Sequence, residues 1–97
     1  MSSKRLVLAN IPGIGTVYNE LPKIASKKNL DVANLARAAY LDFKTVQRVW
    51  KNEIKGLTFE TLISILIALD EPFDEVFPFE RDPRYFNPYL DNDDGDL

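Results

Sequence analysis

From Leu21 to Phe77 the apolar positions of this chain recur at three- and four-residue spacing, the period of helices with one buried face. Leu21, Ile24 and Ala25 form the first stripe. Asn19 stands as its N-cap, and Pro22 sits in a first turn whose backbone N–H groups need no intrahelical partner. Lys27, Lys28 and Asn29 end that helix. Asp31 caps a second, in which Val32, Leu35, Ala36 and Ala39 share a face, and Asp42 caps a third with Val46, Val49 and Trp50 inward. Thr58 caps a fourth, Phe59 to Leu69. Pro72 opens a short fifth turn, Phe73 to Phe77, that stops before Pro78.

The flanks break this period. Arg5 to Ala9 suits a short strand, and Ile11-Pro12-Gly13-Ile14-Gly15 reads as a turn. Beyond Phe79, Pro83, Pro88 and the run Asp91-Asn92-Asp93-Asp94-Gly95-Asp96 predict a frayed, flexible acidic end. The expected architecture is therefore all-α: a five-helix domain over residues 19–79, an N-terminal extension over 1–18 and an acidic tail over 80–97.

The fourth helix carries more apolar residues than one face needs. Phe59, Leu62, Ile65, Leu66 and Leu69 suffice to bury it, which leaves Ile63 and Ile67 about 100° and 140° from the centre of that face. Two isoleucines one turn apart need a cover. Either residues 5–18 fold over them or a second copy of the chain does, so Ile63 and Ile67 are candidate dimer contacts.

Composition narrows the function. The 97 residues suit one domain. They include no cysteine and no histidine, which removes disulfides, thiolate zinc sites, imidazole proton shuttles and the common nucleophile pairs. No enzyme activity, metal or cofactor is expected. No apolar run approaches the roughly 18 residues a membrane span needs, so a cytoplasmic location is expected. Gly13-x-Gly15 lacks the third glycine and the Lys-Ser/Thr of a phosphate loop. The acidic run is no calcium loop, because its first ligand position falls on Leu90 and no closing Glu follows.

The net charge of −3 conceals a division. Residues 1–69 hold ten Lys and Arg against five Asp and Glu, a local charge of +5, whereas residues 70–97 hold two Arg against ten acids, −8. Such blocks serve solubility as readily as binding. The split bears on function because the basic part also contains a binding motif.

That motif lies between the second and third caps. Two short helices only three or four residues apart cannot lie side by side as an antiparallel hairpin, and this spacing belongs to helix-turn-helix units. Leu35, Ala39, Leu41, Val46 and Val49 fall where the two helices must share a core, and Ala36 where they approach closest. Leu30 to Phe77 resembles the Xre-type helix-turn-helix family, which includes phage repressors and Cro proteins. Asp31-Val-Ala-Asn-Leu-Ala-Arg-Ala-Ala39 looks like that family's second helix and Lys44-Thr-Val-Gln-Arg-Val49 like its recognition helix. Thr58-Phe-Glu-Thr-Leu62, Ala68-Leu69 and Phe73-x-x-Val-Phe77 resemble the fourth and fifth.

Three positions depart from the family pattern. Tyr40 stands where the family usually has Gly in the turn, which either forces a bulky residue to φ > 0 or reshapes the turn. Ala25 and Trp50 stand where an Arg–Glu pair is common, so an apolar contact replaces a desolvated ion pair. Asp70 replaces the Gly that often closes the fourth helix.

The resemblance implies sequence-specific binding of double-stranded DNA by a transcription regulator, with repression as the expected role. With Val46, Val49 and Trp50 inward, Phe43, Lys44, Gln47, Arg48 and Lys51 face outward. Arg48 suits guanine, Gln47 suits adenine N6 and N7, and Phe43 suits a thymine methyl; Lys44 and Thr45 complete the candidate base-reading set. Lys51, Asn52 and Lys55 suit phosphate oxygens, as does Lys44. A homodimer is expected. Two other roles remain open: the antitoxin of a toxin–antitoxin pair, with the acidic tail on a protein partner, and an interaction module that uses the helix-turn-helix only as a scaffold.

Overall fold

Two paired strands precede the first helix, β1 (Leu6–Ile11) and β2 (Gly15–Asn19). Five helices follow: α1 (Leu21–Lys27), α2 (Val32–Ala39), α3 (Phe43–Trp50), α4 (Phe59–Leu69) and α5 (Phe73–Val76). A third strand, β3 (Phe79–Arg81), then joins β2 to complete an antiparallel sheet in the order β1-β2-β3. The structure, a computed structural model, describes residues 5–91.

The sheet overturns the all-α expectation. Its cause is partly local, because Thr16-Val17-Tyr18 are residue types that suit a pleated, half-buried surface. The rest is non-local. Thr16 pairs with Glu80 and Val17 with Phe79 across more than sixty residues, a relation no periodicity within a window can report. In the hairpin, Gly13 takes φ +81° in the turn, where a side chain would be strained. Gly15 has a different reason. A Cβ there would lie 2.6 Å from the carbonyl oxygen of Glu80, so its bare backbone lets β3 approach. The chain does not fray directly past Phe79 either. Asp82 N–H bonds to Ile14 C=O at 2.7 Å, and Arg81 pairs with Asp91 and bonds to Tyr85 C=O. The hydrogen bond from Arg81 holds the Asp91 carboxyl below its usual range, and the hydrogen bond from Arg84 does the same for Asp82. Of the acidic run, residues 92–97 lie outside the described residues, as do residues 1–4 of the extension.

Leu21, Leu35, Val46, Val49, Ile65, Leu69, Val76 and Phe77 are fully buried in one cluster that all five helices feed. Each such side chain contributes about 1.5–3 kcal/mol by leaving water. Leu8 and Val17 pack against the same cluster from the sheet. Ala36 is buried, as the close approach of α2 and α3 requires. Ala25 is buried, and the half-buried Trp50 joins the same cluster, consistent with an apolar contact in place of an ion pair. Phe59 departs from the expected pattern: it is 71% exposed, so the buried face of α4 rests on Ile65, Leu66 and Leu69.

Four helices stop in the same way. The N–H groups of Leu30, Leu41, Glu53 and Glu71 bond to the carbonyls of Ala25, Ala36, Arg48 and Leu66. One residue earlier, the N–H groups of Asn29, Tyr40, Asn52 and Asp70 bond to Ser26, Arg37, Val49 and Ile67. These paired bonds define the Schellman motif, whose turning residue must be left-handed. Asn29, Tyr40, Asn52 and Asp70 have φ of 59°, 56°, 69° and 58°. Left-handed backbone costs an L-residue roughly 1–2 kcal/mol, and Asn and Asp tolerate it best. Tyr40 has no such excuse.

Candidate nucleic-acid interface

The α2–turn–α3 unit is fixed from both ends. Asp31 caps α2 by accepting the Asn34 N–H at 2.8 Å. Asp42 precedes α3 in extended backbone, although its side chain makes no capping bond. Val46 and Val49 anchor α3 in the core. At 100° per residue, that anchoring turns Lys44, Gln47, Arg48 and Lys51 toward the opposite side.

The candidate residues fall into three groups. Phe43, Lys44, Arg48 and Lys51 are exposed along α3 and its end, and Lys55 is exposed in the loop that follows. Gln47 and Thr45 are half-buried at the margins of that face. Arg48 is also engaged. One Nη group donates to the Lys55 carbonyl at 2.6 Å, which pins the loop over residues 51–57 to the end of the helix and leaves the rest of the guanidinium fork for another acceptor. Four cations, Lys44, Arg48, Lys51 and Lys55, thus occupy one helix and the loop tied to it.

Asn52 is turned inward. Its Nδ2 donates to the Val7 carbonyl at 2.7 Å, and its Oδ1 accepts from Asn19 Nδ2 at 3.0 Å. The amide oxygen and one of the two N–H donors are engaged within the molecule, so the expected phosphate contact would fall to the second N–H alone. Asn19 completes the joint. It is 2% exposed; its Nδ2 also donates to the Val49 carbonyl at 2.9 Å and its Oδ1 accepts the Leu21 N–H at 3.0 Å. The Asn19 side chain thus accepts from the first residue of α1, but the N-cap itself is Glu20, which makes no side-chain capping bond, so the expected cap falls one residue early. The other half of its amide couples the sheet to the end of α3. Asn after a helix end is a sequence signal for a left-handed turn, so the backbone role of Asn52 was readable; its bond to β1 was not.

Ile63 and Ile67 remain uncovered by residues 5–18. They are 36% and 73% exposed, and together with Leu66, Pro72 and Phe73 they line a shallow groove of about 450 Å³. Phe59, Ile63 and Ile67, each four residues apart, form an outward apolar row on α4.

No helix among the described residues is long and apolar enough to cross a membrane. Comparison with curated proteins and with solved structures gave no match. The family model of the Cro/C1-type helix-turn-helix DNA-binding domain matches residues 20–82, from the start of α1 to the residue after β3. With α3 following α2 through a three-residue turn and presenting its cations outward, the chain belongs to the Cro/C1-type helix-turn-helix DNA-binding family.

Proposed function

We propose that this protein is a sequence-specific repressor that lays α3 in the major groove of duplex DNA and acts as a homodimer. The observation that carries the reading is the row of exposed side chains opposite the buried Val46 and Val49. Phe43 and Lys44 stand in the first turn of α3, the part that meets base edges when such a helix docks, and Gln47 follows one turn on, half-buried at the margin of the same face. Thr45 lies beside them at the margin. Arg48 reads guanine with the part of its fork not bonded to Lys55. Lys51 and Lys55 hold phosphates, and their attraction is electrostatic and independent of sequence.

The apolar row on α4 supports the dimer. One helix-turn-helix contacts only a few base pairs, and two copies related by a two-fold axis engage half-sites about one helical turn apart. The exposed row Phe59, Ile63 and Ile67 supports that reading as the patch two copies would share.

A second reading is favoured by a different surface. Ile11, Ile14, Val17, Phe79 and Tyr85 line an apolar groove of about 300 Å³ on the sheet. A protein partner seated there would suit an antitoxin or an interaction module. Selecting duplexes from a random pool with the full chain separates the two. Recovery of a two-fold symmetric site supports the repressor, with Lys44→Ala weakening all duplexes and lowering the salt slope by about one unit. Recovery of no enriched sequence at low salt overturns it.

A further inference from the structure

Tyr40 is the one left-handed residue in a helix end that its side chain does nothing to explain. At the equivalent positions of α1, α3 and α4 the chain uses Asn29, Asn52 and Asp70, short polar residues suited to that backbone. At the end of α2 it uses a tyrosine, and the ring is 96% exposed. The motif does not need the ring. Its apolar contact is supplied by the next residue, Leu41, which is half-buried against the core and whose N–H closes onto Ala36 C=O at 2.9 Å. The strained backbone thus holds an aromatic side chain out into solvent. The helix stop needs a left-handed residue there but not an aromatic one, and a bulky side chain kept at a strained position and turned to solvent points to a ligand contact.

The position of Tyr40 identifies that ligand. It ends α2 and stands three residues before Phe43, the first residue of α3, which is itself 47% exposed. A recognition helix enters the groove by its N-terminal end, so the turn ahead of it runs past the sugar–phosphate wall. A neutral hydroxyl on a rigid ring is suited to donate to a phosphate oxygen, with the ring face lying on the adjacent deoxyribose. We propose that Tyr40 is a contact to the DNA backbone at the rim of the groove, held in place by the left-handed turn. The proposal rests on the DNA-binding reading of α3 and adds to it a residue outside the helix. Because tyrosine carries no charge, the contact releases no counterion, which distinguishes it from Lys44, Lys51 and Lys55.

The test measures stability and DNA affinity on the same variants of the full chain. Tyr40→Gly and Tyr40→Asn both relax the backbone, so each melts at or above the wild-type temperature. On a mixed-sequence duplex each binds about five- to tenfold more weakly, with the slope of log affinity against log salt unchanged. Tyr40→Phe keeps the ring and loses the hydroxyl, and falls between them and wild type. Lys44→Ala is the control: it weakens binding and lowers the slope. If Lys44→Ala behaves so while both relaxed Tyr40 variants bind as tightly as wild type, Tyr40 is no DNA contact and the DNA reading of α3 stands; its exposed ring then serves a protein partner. Wild-type protein that binds no duplex removes both.

Discussion

Replacing Asn19 with Ala strips partners from buried and part-buried polar groups. The Leu21 N–H and the Asn52 Oδ1 lose their partners, and the Val49 carbonyl loses one of two donors. Leaving buried polar groups unpaired costs about 1–3 kcal/mol, several degrees of Tm in a domain of this size. Thermal melting checks it, and an unchanged Tm would show that the joint between sheet and α3 is idle. Only part of this residue was legible. Its bond to the Leu21 N–H is local and follows from Asn ahead of an apolar stripe, whereas its partners on α3 lie 30 and 33 residues away. Arg48 shows the same limit: its outward direction follows from helix geometry, but its bond to Lys55 depends on how the next loop closes. Arg48→Lys tests its second role. Lysine offers a point donor to the Lys55 carbonyl but no planar fork for guanine. Preference at one base position is expected to relax by about 1–3 kcal/mol with the fold intact. Unaltered base preference in a binding selection removes Arg48 from the reading set.

Helices declared themselves in the sequence because each carries local evidence: a period, a stop and, in α2 and α4, a side-chain cap. Asp31 and Thr58 cap as their residue types imply, and the buried stripes of α2 and α3 lie where the spacing puts them. Strands did so only in part: Arg5 to Ala9 announced β1, whereas β3 has three residues between Pro78 and Pro83 and gains its identity only from β2. Phe59 was assigned to the core on spacing alone. Nothing local reveals that the core is full at Ile65, Leu66 and Leu69 and that the first turn of α4 projects beyond it. With Phe59 outward, the apolar row on α4 is three residues long instead of two, which strengthens the case for a partner. Changing Ile63 and Ile67 together to Lys is expected to leave a folded protein, because both side chains already face solvent. It places like charges across any two-fold axis through the row. Sedimentation at tens of micromolar is expected to give a dimer for wild type and a monomer for the variant, with weaker binding to a two-half-site duplex. Identical sedimentation of the two proteins excludes this face as the interface, and loss of the far-ultraviolet helical signal would place the isoleucines in the core after all.

At the scale of the whole chain, charge and topology divide it in different places. Positive charge gathers before Asp70 and negative charge after it, whereas the sheet ties the two parts together. The family match ends at Asp82, yet β3 within it pairs with β2, which precedes its first residue. Residues 79–91 brace the sheet: Phe79 to Arg81 pair with β2, Asp82 N–H closes on Ile14, and Arg81 gathers Tyr85 and Asp91. Residues 92–97 add Asp93, Asp94 and Asp96 in sequence, charges that repel the phosphate backbone wherever they lie within roughly 10 Å at 0.1 M salt. Two truncations separate these effects. Ending the chain after Asp91 removes only the three charges; Tm is expected to hold, and affinity for duplex DNA to rise, most at low salt where repulsion reaches furthest. Ending it after Phe79 also removes most of β3 and the Asp82–Ile14 bond, which exposes one edge of β2 and is expected to lower Tm. A shorter chain that melts like wild type would make β3 dispensable. A protein cut after Asp91 that binds DNA more weakly would place the acidic residues in the binding machinery, not against it.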